Sequence, residues 1–474
     1  MENQAQRIWV FLLVAIAMVA SCRAETGLKV LVNFYGPNGI SPVAVLQGTD
    51  GNFYGVTDSG GANSTGTFFR ITPAGKFNTV YDFCLYCAEG SSPSSLVLGN
   101  DENFYGTTNF GGAKSSECPS RCGTMFKMTN KGALTTLHRF CSEANCADGY
   151  TGQGPLLQAS DGNFYGTTAG TNIVGQTIFS ISPSGTYTTM ASFCKDYGCV
   201  DELRLQFEDA NGALWATSGD GGPNRYGEIA LWTASGGLIT EYEFDGTSGD
   251  IPLLLIQGND RNYYGTTSLG GGSTKCDGGC GTLFRLTPGG SFAMLHSFNF
   301  QDGTLPSSLV QASDGSLYGE AIGGGAQNSG TLFKLTAAGR LTTVYTFCSV
   351  RDRLDSCLDG LEPEALMQAT NGMFYGPAGG GLSIFGGLVF RYDAGLPGFV
   401  KPLPALGRVD DTITILGYRL GGTLSVRFNG VAATFAVVSD TQITATVPEG
   451  ATNGAIEVTT PTAQLRSNPV FRVR

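Results

Sequence analysis

From residue 28 to about residue 394 the chain alternates apolar and polar positions with a period of two, in short bursts separated by turns rich in Gly, Asn and Asp. That period belongs to strands, and no window carries the spacing and end signals of a helix. One phrase organises the bursts. It reads Asp50-Gly-Asn-Phe-Tyr-Gly55, Asp101-Glu-Asn-Phe-Tyr-Gly106 and Asp161-Gly-Asn-Phe-Tyr-Gly166, then a worn copy, Asn211-Gly-Ala-Leu-Trp-Ala216. Asp260-Arg-Asn-Tyr-Tyr-Gly265, Asp314-Gly-Ser-Leu-Tyr-Gly319 and Asn371-Gly-Met-Phe-Tyr-Gly376 complete it. The steps of roughly 50–60 residues fit four short strands with turns, the length of a propeller blade.

Each unit reads as strands a to d. Strand a is short and apolar, as in Leu156-Leu-Gln158, and an Asp-Gly or Asn-Gly turn follows, since these residues tolerate positive φ. Strand b is the aromatic, β-branched Phe-Tyr-Gly-Thr-Thr. After a variable Gly-rich loop comes strand c, as in Gly281-Thr-Leu-Phe-Arg285, and a tight turn leads to strand d, as in Leu134-Thr-Thr-Leu-His-Arg-Phe140. The seventh strand c, Gly387–Arg391, has no strand d after it. Leu28-Lys-Val-Leu-Val-Asn-Phe34 supplies one from the other end of the chain, with Leu28, Leu31 and Phe34 at the spacing of Leu134, Leu137 and Phe140. The expectation is an all-β fold: a seven-bladed propeller over residues 28–394, closed by an N-terminal strand that leaves no unpaired edge at the seam. A linear solenoid would leave residues 28–34 unexplained.

These phrases resemble the GloVer tandem repeat of bacterial choice-of-anchor proteins over about residues 28–394. The resemblance implies an exported repeat protein whose anchoring varies, and no established reaction. The fourth repeat is closer to the Asn-Gly-x-Leu-Trp phrase of streptogramin-lyase-like propellers, an analogy that brings no activity with it. After Pro397 the repeat stops. Residues 395–404, with Pro402 and Pro404, read as a stiff linker. Residues 405–474 read as a small β-sandwich whose Thr-Ile-Thr-Ile-Leu-Gly417 and Val-Arg-Phe-Asn-Gly430 resemble the IPT/TIG immunoglobulin-like fold.

Composition narrows the partners. Seventy glycines in 474 residues, without a G-X-Y period, exclude collagen, and 41% hydrophobic against 14% charged residues excludes a disordered chain. A net charge of −11 without a basic block makes nucleic acid a poor partner. Residues 1–24 read as an export signal, with Arg7 before an apolar stretch too short to span a bilayer. Val19-Ala20-Ser21-Cys22 also resembles a lipobox, so a lipid anchor at Cys22 and plain cleavage after Ala24 both stand. No later segment is apolar enough to span a bilayer.

The other twelve cysteines form close pairs: Cys84/Cys87, Cys118/Cys122, Cys141/Cys146, Cys194/Cys199, Cys276/Cys280 and Cys348/Cys357. In an exported chain they read as six local disulfides. Zinc is the competing reading for the Cys84-x-x-Cys87 spacing, but only two histidines accompany it, His138 and His296.

Strand alternation places the tight a–b and c–d turns on one face and the long b–c and d–a loops, with every cysteine pair, on the other. Such loops on a rigid scaffold are where binding is usually placed. The d–a loops repeat a polar position: Asn38, Glu89, Asp148, Asp201, Asp245, Asp302 and Asp359. It reads either as an acidic ring drawing cations or polyhydroxyl ligands to one mouth, or as Asp-Gly turns accepting backbone N–H groups. Gln47, Leu98, Gln158, Glu208, Gln257, Gln311 and Gln368 form a strand-a column, whose glutamines suit bonds to a neighbouring strand edge better than to a ligand. The Tyr54-type column suits packing between blades. No H-E-x-x-H, Walker or convincing nucleophile-elbow motif is present. The sequence thus reads as an exported or cell-surface binding protein without a recognised catalytic site, cofactor or metal, taking an unknown polysaccharide, protein or small ligand at the loop face. The alternatives are a carbohydrate-active lyase or hydrolase using loop carboxylates, and a structural envelope protein.

Overall fold

The computed structural model describes residues 27–84, 89–112, 118, 122–169, 175–193, 202–233, 237–380 and 386–474. Cys22, Cys87, Cys194, Cys199, Asp201 and the export signal lie outside them. Antiparallel four-stranded sheets repeat along the chain, as in Ile40–Gln47, Phe53–Ser59, Thr67–Ile71 and Phe77–Asp82 of the first blade. In the second and seventh blades strand a is split in two, as Ser91–Pro93 with Val97–Leu98 and Leu361–Pro363 with Met367–Gln368. First strands of neighbouring blades touch one another, so strand a is innermost and strand d lies at the rim. The described residues hold no α-helix; one 3-10 turn spans Ala144–Cys146.

The seventh sheet takes its rim strand from the N-terminus. Gly27–Asn33 pairs antiparallel with Leu388–Asp393, Leu28 opposite Tyr392 and Asn33 opposite Leu388. In every blade the Phe that follows strand d donates its N–H to the carbonyl of the residue before strand c. Phe83 to Gly66, Phe140 to Gly123 and Phe347 to Gly330 are three cases, and Phe34 to Gly387, at 2.8 Å, repeats the bond with a partner from the far end of the chain. Strand a of the first blade also touches strand b of the seventh, and Gln47 bonds Thr370 there.

The repeated phrase is a packing device. Asp50, Asp101, Asp161 and Asp260 each accept the backbone N–H of the Asn two residues on and the hydroxyl of the Tyr four residues on, at 2.8–2.9 Å for the hydroxyl. Held this way, Tyr54 lies on Phe104 of the next blade and Tyr105 on Phe164; Tyr318 on Phe374, and Tyr375, whose hydroxyl accepts from Asn371, on Phe53 across the seam, repeat the stack without that bond. The glutamines tie blades together: Gln158 accepts from Asn100 N–H, Gln311 from Asn259 and Gln368 from Ser313. One buried position departs from this economy. Where four of the other blades have Thr in strand b, the first Val56 and the seventh Pro377, the sixth has Glu320, fully buried, with Oε2 bonded to Ser308 and Oε1 without a protein partner among the described residues.

Disulfides join Cys118 to Cys122, Cys141 to Cys146, Cys276 to Cys280 and Cys348 to Cys357, four of the expected pairs, and Cys84 is disulfide-bonded too. Among the described residues no helix is long and apolar enough to cross a membrane.

The C-terminal sandwich has one sheet ordered Lys401–Leu403, Thr412–Leu416, Gln442–Thr446, Phe435–Ser439, and a second ordered Val431–Ala432, Ser425–Phe428, Ile456–Thr459, Gln464–Arg466. Ile415, Val426, Phe428, Ile443 and Phe471 fill its core. The stretch expected to be a linker is only partly one. Lys401–Leu403 pairs with Thr414–Leu416 as an edge strand, a place where Pro402 and its missing N–H are tolerated. The sandwich docks on the propeller's a–b turns: Thr441 donates to Thr49 O, Gln442 to Glu102, Asn468 to Gln311 O, Arg472 to Gln257 and Arg474 to Ser160. The two blades that lack Gly in this turn use Glu102 and Arg261, both left-handed; Glu102 turns that conformation into a domain contact.

Candidate functional site

With the sandwich on the a–b face, the long-loop face is the open one. Its repeated polar residues are engaged locally. Asn38 accepts from Tyr35 N–H and donates to Asn33 O. Glu89 accepts from Tyr81 hydroxyl. Asp148, wholly buried, accepts from His138 Nε2 at 2.9 Å, from Ser142 N–H and hydroxyl, and from Glu143 N–H. Asp359 accepts from Tyr345 hydroxyl at 2.6 Å, Ser349 and Val350. Asp302 accepts from His296 and Asn299 N–H, and Asp245 from Thr247 and Ser248. Tyr81, His138, His296 and Tyr345 belong to rim strand d, so Glu89, Asp148, Asp302 and Asp359 are each tied to the rim strand of their own blade, while the remaining donors come from the d–a loops themselves. Among the described residues no three His, Cys, Asp or Glu side chains gather to hold a metal.

Burial pushes the Asp148 carboxyl up, but the His138 ring and the Ser142 and Glu143 donors outweigh it and hold the group below the usual carboxylate range. A depressed folded pKa gives stability that is present above the unfolded value and lost as pH falls. Asp148→Asn would turn an acceptor facing several donors into a half-donor, with an expected loss of about 1–3 kcal/mol. Asp245, in an exposed turn whose Ser248 N–H and hydroxyl hold it down at about 2, is expected to tolerate Asn far better. Denaturant unfolding of the two variants at neutral pH checks the contrast.

The loop face breaks its symmetry elsewhere. At five junctions a glycine before strand c leaves no room for a Cβ against a Pro of the next blade: Gly66 on Pro93, Gly227 on Pro252, Gly281 on Pro306, Gly330 on Pro363 and Gly387 on Pro42. Between the second and third blades the glycine, Gly123, meets Thr108 and Thr151 instead of a Pro, and between the third and fourth blades both the glycine and the Pro are absent. Gln176 stands in the glycine's place; its amide accepts from Leu203 N–H and donates to Leu203 O and to Gln153.

A cavity of about 420 Å³ lies at that junction, reaching the fifth blade and lined by Gln153, Gln176, Glu202, Asp220, Ile251 and the backbone of Ala169 and Gly219. Every lining residue comes from the loop-face end of a strand or from a b–c or d–a loop. Two are aimed by a shared backbone device. Glu202 and Ile251 are left-handed, φ 55° and 56°, as are Ser41, Ser92, Leu305 and Glu362 at the start of strand a in other blades. There the N–H turns back to the preceding blade: Ile251 to Tyr226 O, Leu305 to Cys280 O. A β-branched residue at positive φ is strained, and Ile251 is held in it beside the cavity.

The charges are balanced. Glu202 lies 3.3 Å from Arg204 and Asp220 3.1 Å from Arg225. Asp220 Oδ1 and Arg204 Nε are buried without a hydrogen-bond partner among the described residues. None of these positions belongs to a recurring phrase. The readable signals were Gln176 where a Gly is expected and the missing Pro before the fourth blade.

The model of the Gloeobacter/Verrucomicrobia repeat matches residues 18–210 and 200–390, and that of the IPT/TIG domain residues 403–472. A comparison with curated proteins finds no match. Among solved structures, the chain is similar to an auxiliary nutrient binding protein from Bacteroides thetaiotaomicron at 12% identity, covering 77% of this chain and 76% of that one with a TM-score of 0.43. It is similar also to PorZ, a surface component of the type-IX secretion system of Porphyromonas gingivalis, at 13%, 89%, 68% and 0.40. The PQQ-bound aldose sugar dehydrogenase of Streptomyces coelicolor gives 14%, 78%, 98% and 0.39. None of these carries a residue role across.

Proposed function

The chain belongs to the Gloeobacter/Verrucomicrobia repeat family and ends in an IPT/TIG domain, and from that premise we propose that it is an exported binding protein whose ligand enters the loop-face cavity between the third, fourth and fifth blades. The observation that carries the reading is the replacement of the Gly–Pro lock by Gln176, which coincides with a polar cavity of about 420 Å³. That size lies within the range of small-ligand sites. Asp-Gly turns and Tyr–Phe stacks recur because they build blades; a departure from the repeat that also opens a cavity is where a specific site is to be sought. The docked sandwich leaves the loop face as the approach. Export rests on the disulfides, which persist in oxidising compartments.

The test is amide hydrogen exchange on the full chain with and without the ligands retained from a broad glycan, metal-ion and small-molecule screen. Added protection is expected in residues 150–153, 176–178, 217–227 and 250–254. Protection confined to the a–b turns or to the sandwich overturns the reading, and product formation replaces binding by catalysis.

A further inference from the structure

We propose that the cavity takes a neutral, hydroxyl-rich ligand, such as one unit of a glycan chain; this rests on the loop-face binding reading and adds the chemistry of the ligand. Charge is the first step. Two carboxylates line the cavity, and each is matched by an arginine, Glu202 by Arg204 and Asp220 by Arg225. An anion would meet the two carboxylates, and a bare cation would find each carboxylate already paired with its arginine, so neither is favoured.

Unused hydrogen-bonding capacity is the second step. Asp220 Oδ1 is an acceptor and Arg204 Nε a donor, both buried and unpartnered among the described residues. The Gln176 amide is spent on Leu203 and Gln153, while Gln153 uses its carbonyl on Gln176. Arg204 stands behind Glu202 and is not itself part of the lining, so the lining offers Asp220 as acceptor and the N–H2 group of Gln153 as donor. A hydroxyl is the small neutral group that donates and accepts at once, so hydroxyls can serve the Asp220 carboxylate and the Gln153 amide together.

Shape is the third step. Ile251 supplies an apolar wall, and Tyr226, whose carbonyl accepts the Ile251 N–H, is 40% exposed against Gly246. A sugar ring presents C–H groups on one face and hydroxyls at its edge, which matches an apolar wall beside a polar floor.

The experiment is calorimetric titration of the full chain with four neutral probes, maltohexaose, cellohexaose, xylohexaose and mannohexaose, and two charged ones, calcium chloride and sodium phosphate. Saturable binding of at least one neutral probe is expected. Its affinity should be little changed between roughly 0.05 M and 0.5 M salt, because a neutral ligand gives screening nothing to act on. Asp220→Ala and Gln153→Ala should each weaken it about tenfold or more, while Asp245→Ala on the same face should leave it unchanged; thermal unfolding checks that all three variants are folded. Binding of calcium or phosphate alone overturns the ligand class, and leaves the loop-face reading standing if exchange protection still maps to the cavity. Sugar binding indifferent to Asp220→Ala and Gln153→Ala overturns the cavity assignment. No binding of any neutral probe at about 10 mM, a Kd limit worth under ~3 kcal/mol, overturns the hydroxyl-rich class.

Discussion

Removing residues 27–35 lowers the unfolding temperature more than any single substitution in the repeat. The deletion strips strand d from the seventh blade, so the whole register from Leu28–Tyr392 to Asn33–Leu388 is lost at once. Strand Leu388–Asp393 then becomes an edge with unpaired N–H and C=O groups, a template for association with other chains. The apolar side goes too. Val32 and Phe34 pack in one core cluster with Phe69, Tyr375 and Val389, while Leu28 and Val30 cover Phe390 and Leu388 in another. Phe34→Ala alone, at a fully buried ring against Phe69 and Phe77, is expected to lose about 3–5 kcal/mol. The deletion should exceed it and also raise the fraction of aggregated chain. Thermal unfolding with size-exclusion chromatography reads both effects. A deletion variant that melts with the parent and stays monodisperse would mean that the terminal strand merely decorates a propeller stable without it.

Much of this architecture was legible because the forces that build it act at fixed spacings. Asp50 and Tyr54 are four residues apart because the carboxylate must reach the hydroxyl around one turn, and the same distance recurs in blade after blade. The seam strand could be read because Phe34 must meet Gly387 as Phe140 meets Gly123. In the sandwich, Phe435–Ser439 went unread because an exposed edge strand needs no alternation, and its Val437 and Val438 are both turned to solvent.

The site was less legible for the same physical reason. The repeated acids drew attention because they recur, yet recurrence marks what the fold needs of every blade: Asp148 and Asp359 close their own loops. A cavity needs an exception. Gln176, Glu202 and Asp220 are exceptions scattered over three loops, and only the fold brings them to one place.

Glu320 is an exception of a different kind, and its effect on stability should depend steeply on pH. Thr107, Thr167, Thr217 and Thr266 fill the matching place in other blades. Burial pushes the Glu320 carboxyl up to about 8; the Ser308 hydroxyl and the Leu366 N–H pull the other way, and nearby Glu364 adds repulsion. In the unfolded chain the group titrates near its ordinary value of 4.5. Between those two values the folded protein holds a proton that the unfolded chain has released, so stability falls as pH rises across that window. The slope is about 1.4 kcal/mol per pH unit for one group, which makes the full effect a few kcal/mol. Glu320→Gln keeps the size and an acceptor for Ser308 but cannot ionise, and Glu320→Thr installs the residue of four other blades. Below about pH 4.5 each variant should differ from the parent only by its fixed packing and hydrogen-bond terms. As pH rises toward 8 the variant's advantage should grow by a few kcal/mol and then level off, because both states of the parent are then ionised. Denaturant midpoints of parent and both variants, taken from pH 4 to pH 9, measure this growth. Curves that stay parallel across the whole range would mean that Glu320 is ionised in the folded protein and has a partner that its buried, unbonded Oε1 does not show.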